Sequence, residues 1–238
     1  LAKEMMFGFK KEFKYFQCSK CNCLQITSIP KNLSQFYPNK YYSFACNPNQ
    51  NNFNTDIFIK QKIIKSYISN KNGFLTKLLI RLYKEPDFFK YIKNTNTSFN
   101  SNILDVGCGS GHLLLNMADW GFTKLTGIDP FVEKNMFYKN GIKILKKELT
   151  EITDHFDLIM LHHSLEHMSD PIQIFRILSN ILSPNGSVLI RIPIFPSLAW
   201  EKYNTNWVQL DAPRHLFLFS IESIKILANI CGFKIDKI

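Results

Sequence analysis

The sequence predicts an α/β fold, a doubly wound and mostly parallel sheet of the seven-stranded type with helices on both faces, and three observations carry that prediction. Apolar stretches of strand length alternate with stretches of helix length through residues 101–238. Ile103 to Val106 runs straight into glycines at 107, 109 and 111, so the chain must turn sharply where a parallel strand ends. A second strand, Lys124 to Ile128, ends in a carboxylate, Asp129.

Taken in order, the first strand of that region spans 102–106 and is apolar apart from Asp105. Glycine after it lets bare backbone approach a ligand. His112 to Trp120 reads as a helix whose first amides point back into the glycine loop, with Gly121 as its stop. Further strands are predicted at 124–128, 142–145, 157–161, 187–192 and 233–238, and helices at 111–120, 131–139, 170–182 and 220–231. Asp170-Pro171 is an N-cap followed by proline at the first helical position. Pro184-Asn185-Gly186 reads as a turn before the strand at 187–192.

Two further segments precede this region. Residues 1–46 carry Cys18-x-x-Cys21 on a tight turn between two short strands, which is half of a zinc knuckle. Cys23 and Cys46 could supply further thiolates, but Cys21 and Cys23 are too close in sequence for the usual geometry, so no intact metal site is expected there. Residues 47–100 read as a polar linker, Asn47 to Asn54, and a helical cap, Ile57 to Ser69 and Phe74 to Ile92. Residues 101–238 form the main domain.

Position 112 is His, so the loop does not carry the third glycine of a dinucleotide fingerprint. It reads Asp-x-Gly-x-Gly-x-Gly, with Asp129 placed to accept from two ribose hydroxyls. This arrangement resembles the class I S-adenosylmethionine-dependent methyltransferases, and Gly127 to Pro130, Phe156 to Pro171 and Leu182 to Pro193 follow in that family's order. The resemblance implies that S-adenosylmethionine is the cofactor. It implies that Gly107, Cys108 and Gly109 line the methionine part, with Cys108 packed rather than reactive, and that Asp105 helps hold the ammonium end. Asp129 and Pro130 would lie at the ribose, and Glu148 and His162 near the adenine or the methionine.

The N-terminal segment is similar to the end of the zinc-binding domain in a bacterial group of sugar and natural-product methyltransferases. That likeness implies an upstream Cys-x-x-Cys, with zinc bound in a longer form of the protein. The family's closing hairpin would likewise run past Ile238, so the chain reads as shortened at both ends.

Composition sets the outer limits. The net charge of +10 is uneven: residues 1–100 hold 16 Lys and Arg against 5 Asp and Glu, and the remainder 13 against 14. A positive face invites an anionic partner. Of the 29 basic residues, however, only four are Arg, the residue that reads phosphate best, so specific nucleic-acid binding is not expected. No apolar run approaches the roughly 20 residues of a membrane span. Six cysteines without a disulfide framework fit a reducing cytoplasm.

Methyl transfer needs alignment above all, and a hydroxyl acceptor also needs a base, for which histidine is suited. Two clusters compete. One is His162-His163-Ser164-Leu165-Glu166-His167, just after the strand at 157–161, offering His163 with Glu166. The other is Trp207 to His215, where His215 is the base and Trp207, Asp211 and Arg214 contact a polar acceptor. The expected reaction is O-methylation of a sugar hydroxyl in a surface glycan or nucleotide-linked sugar. The alternatives are a quinone or lipid methyltransferase, whose domain has a similar Leu-Glu-His stretch, and a non-catalytic RNA- or protein-binding subunit.

Overall fold

The structure is a computed structural model and describes residues 1–37, 60, 62, 63, 87–138 and 140–238. Along it run strands β1 (Ala2–Lys3), β2 (Glu12–Phe13), β3 (Tyr15–Gln17) and β4 (Leu24–Ile26), then helix α1 (Asp87–Ile92) and strand β5 (Asn102–Val106). Helix α2 (His112–Asp119), β6 (Lys124–Ile128), β7 (Met136–Phe137), β8 (Lys143–Leu145) and β9 (Phe156–His162) follow. The chain continues through α3 (Pro171–Ile181), β10 (Leu182–Arg191), α4 (Leu198–Tyr203), β11 (Phe217–Leu218) and α5 (Ile221–Ile230). Among the described residues no helix is long and apolar enough to cross a membrane. The linker and most of the two cap helices expected over 47–100 lie outside the described residues, as does Cys46.

Two compact units emerge, and they do not follow chain order: one holds Leu1–Tyr41, Leu161–Asn180 and Ile190–Ile238, the other Tyr42–Met160 and Ile181–Leu189. The second unit is organised by a sheet ordered β10-β9-β5-β6-β8-β7, the mixed and mostly parallel sheet that the alternating pattern predicts. β5 and β6 pair in parallel from Asn102↔Lys124 to Val106↔Ile128, and β6 pairs in parallel with β8. Strand residues Ile103, Leu125, Ile144 and Leu158 meet Leu114 and Met117 of α2, which stand three residues apart on one helical face. An aromatic cluster extends that core. Phe89 packs edge-on against Phe88 and Trp120, each with ring centroids 4.9 Å apart.

Three elements differ from the sequence reading. Over the described residues 131–138 no helix forms; β7 instead pairs antiparallel with β8. The cause is a hairpin at Asn140-Gly141: Tyr138 N–H donates to the Ile142 carbonyl, and Gly141 takes φ +85°. Pro184-Asn185-Gly186 is not a turn before a strand but a bend inside β10, made by Asn185 at φ +64°. Residues 233–238 form no strand. The Phe233 N–H donates to the Ala228 carbonyl at the end of α5, and the ring packs edge-on against Phe175 of α3.

The first unit contains a three-stranded sheet, β11-β4-β3, in which the cysteine hairpin pairs with a strand from the far end of the chain. Phe217 lies opposite Gln25 and Leu218 opposite Leu24. Behind this sheet, Ala2, Leu24, Phe195, Trp207, Leu210 and Leu218 make a small core. The division expected along the chain, 1–46, 47–100 and 101–238, thus runs alongside a second organisation in which residues 1–37 are built into the same unit as the C-terminal segment.

One position in the central sheet has no room for a side chain. Gly127 lies opposite Asp105, and a Cβ there would stand 2.5 Å from Cys108 Sγ, 2.8 Å from Ile144 Cδ1 and 2.9 Å from Leu114 Cδ1. Gly127→Ala is therefore expected to lower the unfolding free energy by about 1–3 kcal/mol in urea titration, the usual cost of overpacking a core. A variant as stable as the wild type would show that Cys108 and its neighbours can move aside.

Candidate functional site

The glycine loop is built by the end of β5. Gly107, Gly109 and Gly111 take φ of +75°, +54° and +82°, values that a side chain would strain. The loop is closed by backbone bonds to β6: the N–H groups of Gly107 and Cys108 both donate to the Ile128 carbonyl. Asp129 then fixes its shape. One carboxylate oxygen accepts from Gly109 N–H at 2.9 Å and the other from Phe131 N–H at 2.8 Å, so the acid expected from spacing alone sits on the loop it was paired with.

Asp105 is buried beneath this loop, and burial first, then the charge of Asp129, pushes its carboxyl up to about 8. The Cys108 thiol is raised well above its ordinary range, again by burial first and then by both carboxylates. With its Sγ against Gly127, it is a packing residue. Glu148 is exposed at the start of a short helical turn, where its N–H donates to Glu151 Oε2 at 2.7 Å.

The first unit holds a second polar cluster, assembled from residues far apart in sequence. Arg214 is fully buried. Its guanidinium donates to both oxygens of Asp211, at 3.0 and 2.5 Å, to Glu4 Oε1 at 3.1 Å and to the Phe36 carbonyl at 2.9 Å, and it lies over the Phe7 ring. Burial opposes its charge, but the bonds and charges of Asp211 and Glu4 more than offset that. Glu4 itself accepts from the N–H groups of Phe7 and Phe9.

In the Trp207 to His215 loop, which the sequence offers as an acceptor site, the polar groups face one another and the N-terminal segment. Arg214 and Asp211 have their polar atoms committed to each other and to the N-terminal segment, and Trp207 is 8% exposed within an apolar core. The loop is held in place by the same segment, since Tyr15 Oη donates to the His215 carbonyl at 2.8 Å. Burial and then the Asp211 charge raise the Tyr15 phenol, with Arg214 opposing, so it remains a donor. Glu4, Tyr15 and Phe36 left no sequence signal. Glu4 and Arg214 are 210 residues apart.

The histidines divide by environment. His215 is 7% exposed, and burial, then the neighbouring His167, brings its imidazole down to about 3. Its Nδ1 lies 2.8 Å from the Gln209 carbonyl, which can only accept, so Nδ1 carries the proton and Nε2 the lone pair. His162, at the end of β9, is lowered to about 4 by burial and by the charges of Arg191 and His163. His163 is exposed and takes φ +52°, a left-handed conformation uncommon for a residue with a side chain. That turn places its Nδ1 3.5 Å from Glu166 Oε1. Glu166 is fully buried; burial raises its carboxyl, but the histidines, His163 first, bring it below the usual range.

The cysteine hairpin has the predicted form, with Cys18 N–H donating to the Cys23 carbonyl and Asn22 at φ +59°. Backbone amides of Cys21 and Lys20 lower the Cys18 thiol, burial raises that of Cys21, and burial pushes Cys23 up to about 12. Ser220 Oγ donates to the Cys21 carbonyl, so the hairpin tip is tied to the N-cap of α5.

A family description of the methyltransferase domain matches residues 69–238. The chain belongs to that family. It contains a class I S-adenosylmethionine-dependent methyltransferase domain. Among curated relatives, the tRNA U34 carboxymethyltransferase of Campylobacter hominis is 27% identical over 148 residues, 54% of this chain and 48% of that protein. The ubiquinone biosynthesis O-methyltransferase of Aeromonas salmonicida is 31% identical over 103 residues, 39% of this chain and 43% of that protein. The chain thus matches about half the length or less of these relatives. Among solved structures, a protein from Bacillus halodurans described as a methyltransferase shares the fold with a TM-score of 0.50 at 13% identity, covering 63% of this chain and 70% of that one. The Mycobacterium tuberculosis cyclopropane synthase MmaA2 gives the same score and identity, covering 82% of this chain and 75% of that one.

These burials generate two predictions. Arg214→Met should cost about 3 kcal/mol or more in denaturant unfolding, because it strands the Glu4 and Asp211 carboxylates without their partner; a loss under about 1 kcal/mol would show that water reaches them. Asp105 stays protonated in the folded protein to about pH 8 while the unfolded chain releases that proton near pH 4, so its contribution makes stability fall as pH rises between those values. The buried histidines act oppositely, but only below about pH 6.5, where the unfolded chain takes up their protons. Between pH 6.5 and 8 the wild type should therefore lose on the order of 1 kcal/mol per pH unit, and Asp105→Asn should be flat. Parallel slopes would place the titration elsewhere.

Proposed function

We propose that the protein transfers the methyl group of S-adenosylmethionine to a hydroxyl of a small acceptor, most simply a sugar hydroxyl in a glycan or a nucleotide-linked sugar. The observation that carries the cofactor assignment is Asp129, whose two oxygens hold Gly109 N–H and Phe131 N–H at the end of β6 and so tie the glycine loop to the strand end where a ribose diol would lie. Asp105 beneath Gly107 and Gly109 would meet the ammonium group of the methionine part. A positive charge there would favour the ionised carboxylate, so cofactor binding should release a proton near neutral pH.

Methyl transfer moves the electron pair of the acceptor oxygen into a bond with the methyl carbon as the carbon–sulfur bond breaks, and the sulfonium leaves as a neutral thioether. The acceptor proton must go to a base. His163 is the better candidate of the two: it is exposed, and Glu166 behind it would stabilise the imidazolium that forms. His215 has a poor affinity for protons in its buried setting and its ring is tied to Gln209. In this reading His215 and Arg214 are positioning residues. The ubiquinone O-methyltransferase similarity supports a phenolic hydroxyl as the runner-up acceptor, with the same base. A tRNA acceptor is favoured by the basic balance of residues 1–100 together with the tRNA carboxymethyltransferase similarity.

Calorimetric titration with S-adenosylhomocysteine should give one saturable site, weakened about 100-fold or more in Asp129→Ala and Asp129→Asn. The apparent enthalpy should vary with the ionisation heat of the buffer at pH 7, as proton release requires. With labelled S-adenosylmethionine and separate panels of nucleotide-linked sugars, catechols and tRNA, His163→Ala should lower kcat by about 10²–10⁴ while cofactor affinity changes little. A folded wild-type chain that binds no S-adenosylhomocysteine would overturn the reading.

A further inference from the structure

We infer that Glu166, His167 and His215 form a binding site for a divalent transition-metal ion. One ligand atom from each of the three lies within 4.8 Å of the others. The two imidazoles meet edge to face with centroids 4.7 Å apart, and His215 Nε2 stands 3.9 Å from Glu166 Oε1. No part of this rests on the methyl-transfer reading, because every residue in it belongs to the first unit and was placed by that unit's own hydrogen bonds.

Three features separate this group from an ordinary buried polar cluster. The Glu166 side chain is fully buried, yet neither of its oxygens has a hydrogen bond of ordinary geometry among the described residues. A buried carboxylate left in that state costs free energy on the order of 1–3 kcal/mol or more, so a cation or a donor is needed opposite it. His163 Nδ1 stands off at 3.5 Å on Oε1, leaving Oε2 to be accounted for.

Each imidazole is also oriented as a ligand would be. His215 gives its Nδ1 proton to the Gln209 carbonyl, and His167 Nδ1 lies 2.9 Å from the Arg214 carbonyl, with Tyr37 Oη at 3.2 Å. A backbone carbonyl on one ring nitrogen fixes the tautomer and leaves the lone pair on the other, the arrangement common around metal-bound histidine. For His215 the consequence is visible: its bare Nε2 faces Glu166 Oε1 and Asp211 Oδ2, each at 3.9 Å, so acceptors converge with no donor between them.

The third feature is the neighbouring charge. Asp211 is committed to Arg214 through both oxygens, so Glu166 is the carboxylate left for an ion. Two imidazole nitrogens and one carboxylate oxygen suit zinc, cobalt or ferrous iron at about 2.0–2.2 Å, whereas magnesium and calcium favour all-oxygen sets. Ligands on such an ion stand roughly 3–4 Å apart, so small side-chain rotations close the present spacing.

The test uses the full chain carrying Cys18→Ser and Cys21→Ser, which removes the thiolates that would compete for a soft ion. Titration with Co²⁺ should produce a visible ligand-field absorption that saturates at one equivalent and is displaced by Zn²⁺. His167→Ala, His215→Ala and Glu166→Gln should each weaken that binding by about 100-fold or more, with far-UV circular dichroism confirming the fold of each variant. Loss of Co²⁺ absorption with S-adenosylhomocysteine affinity retained would support the site, independently of the fate of the methyl-transfer reading. Absence of saturable absorption in the wild-type background at millimolar Co²⁺, or unchanged binding in the two histidine variants, would overturn it, and the first result needs no ligand variant to fold.

Discussion

A guanidinium with no water around it has to be met by acceptors on every side, and the arrangement of the first unit follows from how Arg214 is met. Asp211, three residues before it, supplies two bonds, which bends the chain so that Asp211 itself takes a left-handed conformation at φ +38°. The remaining acceptors, Glu4 and the Phe36 carbonyl, come from the other end of the chain. Because replacing the ion pair by apolar groups would cost little while losing one partner costs much, the pair acts less as a source of stability than as a specification of which segments must meet. Residues 1–37 are in that sense part of the architecture of the 207–215 loop.

The same loop then passes its order onward. Leu216 N–H donates to the Glu166 carbonyl, Ile26 N–H donates to the Leu216 carbonyl, and β11 pairs with β4 immediately after. The Arg214 carbonyl accepts from the His167 ring at Nδ1. Thus the histidines and Glu166 are fixed by backbone groups whose positions derive from a buried charge several residues away. The glycine loop of the second unit uses a different device, a carboxylate placed by its own strand. Asp129 needs nothing beyond the β5–β6 register to reach Gly109, which is why its place beside the loop could be read from spacing.

That contrast explains what the sequence disclosed. The strands at 102–106, 124–128, 142–145 and 157–161 and the helix after Gly111 were legible because each is a local apolar pattern closed by glycine or a cap, and they appear within a residue or two of their expected bounds. At 131–139 the helical pattern gives way to a local turn: Asn140-Gly141 is a hairpin turn, and it commits Met136 and Phe137 to an antiparallel strand. For the loop at 207–215, residue types suggested a polar pocket, yet the same Asp, Arg and Trp serve equally well as a clamp and a core residue. Only a partner 210 positions away decides between those uses, and no periodicity encodes it.

The charges of the cluster, taken together, bear on what occupies it. Glu4 and Asp211 face one guanidinium, and Glu166 adds a third carboxylate with no guanidinium of its own. His215 cannot make up the difference, since burial keeps it neutral through the physiological range. A proton on exposed His163 could balance Glu166 from outside, where solvent weakens the attraction; a metal ion on Glu166, His167 and His215 would balance it from within, where the low dielectric strengthens it. Both answers draw on the same carboxylate, since His163 Nδ1 and His215 Nε2 each face its Oε1, at 3.5 and 3.9 Å. Glu166, which the sequence pairs with His163 as a catalytic candidate, is therefore the residue that faces both the acceptor base and the inferred ion: an ion drawing on its carboxylate leaves less negative charge opposite His163.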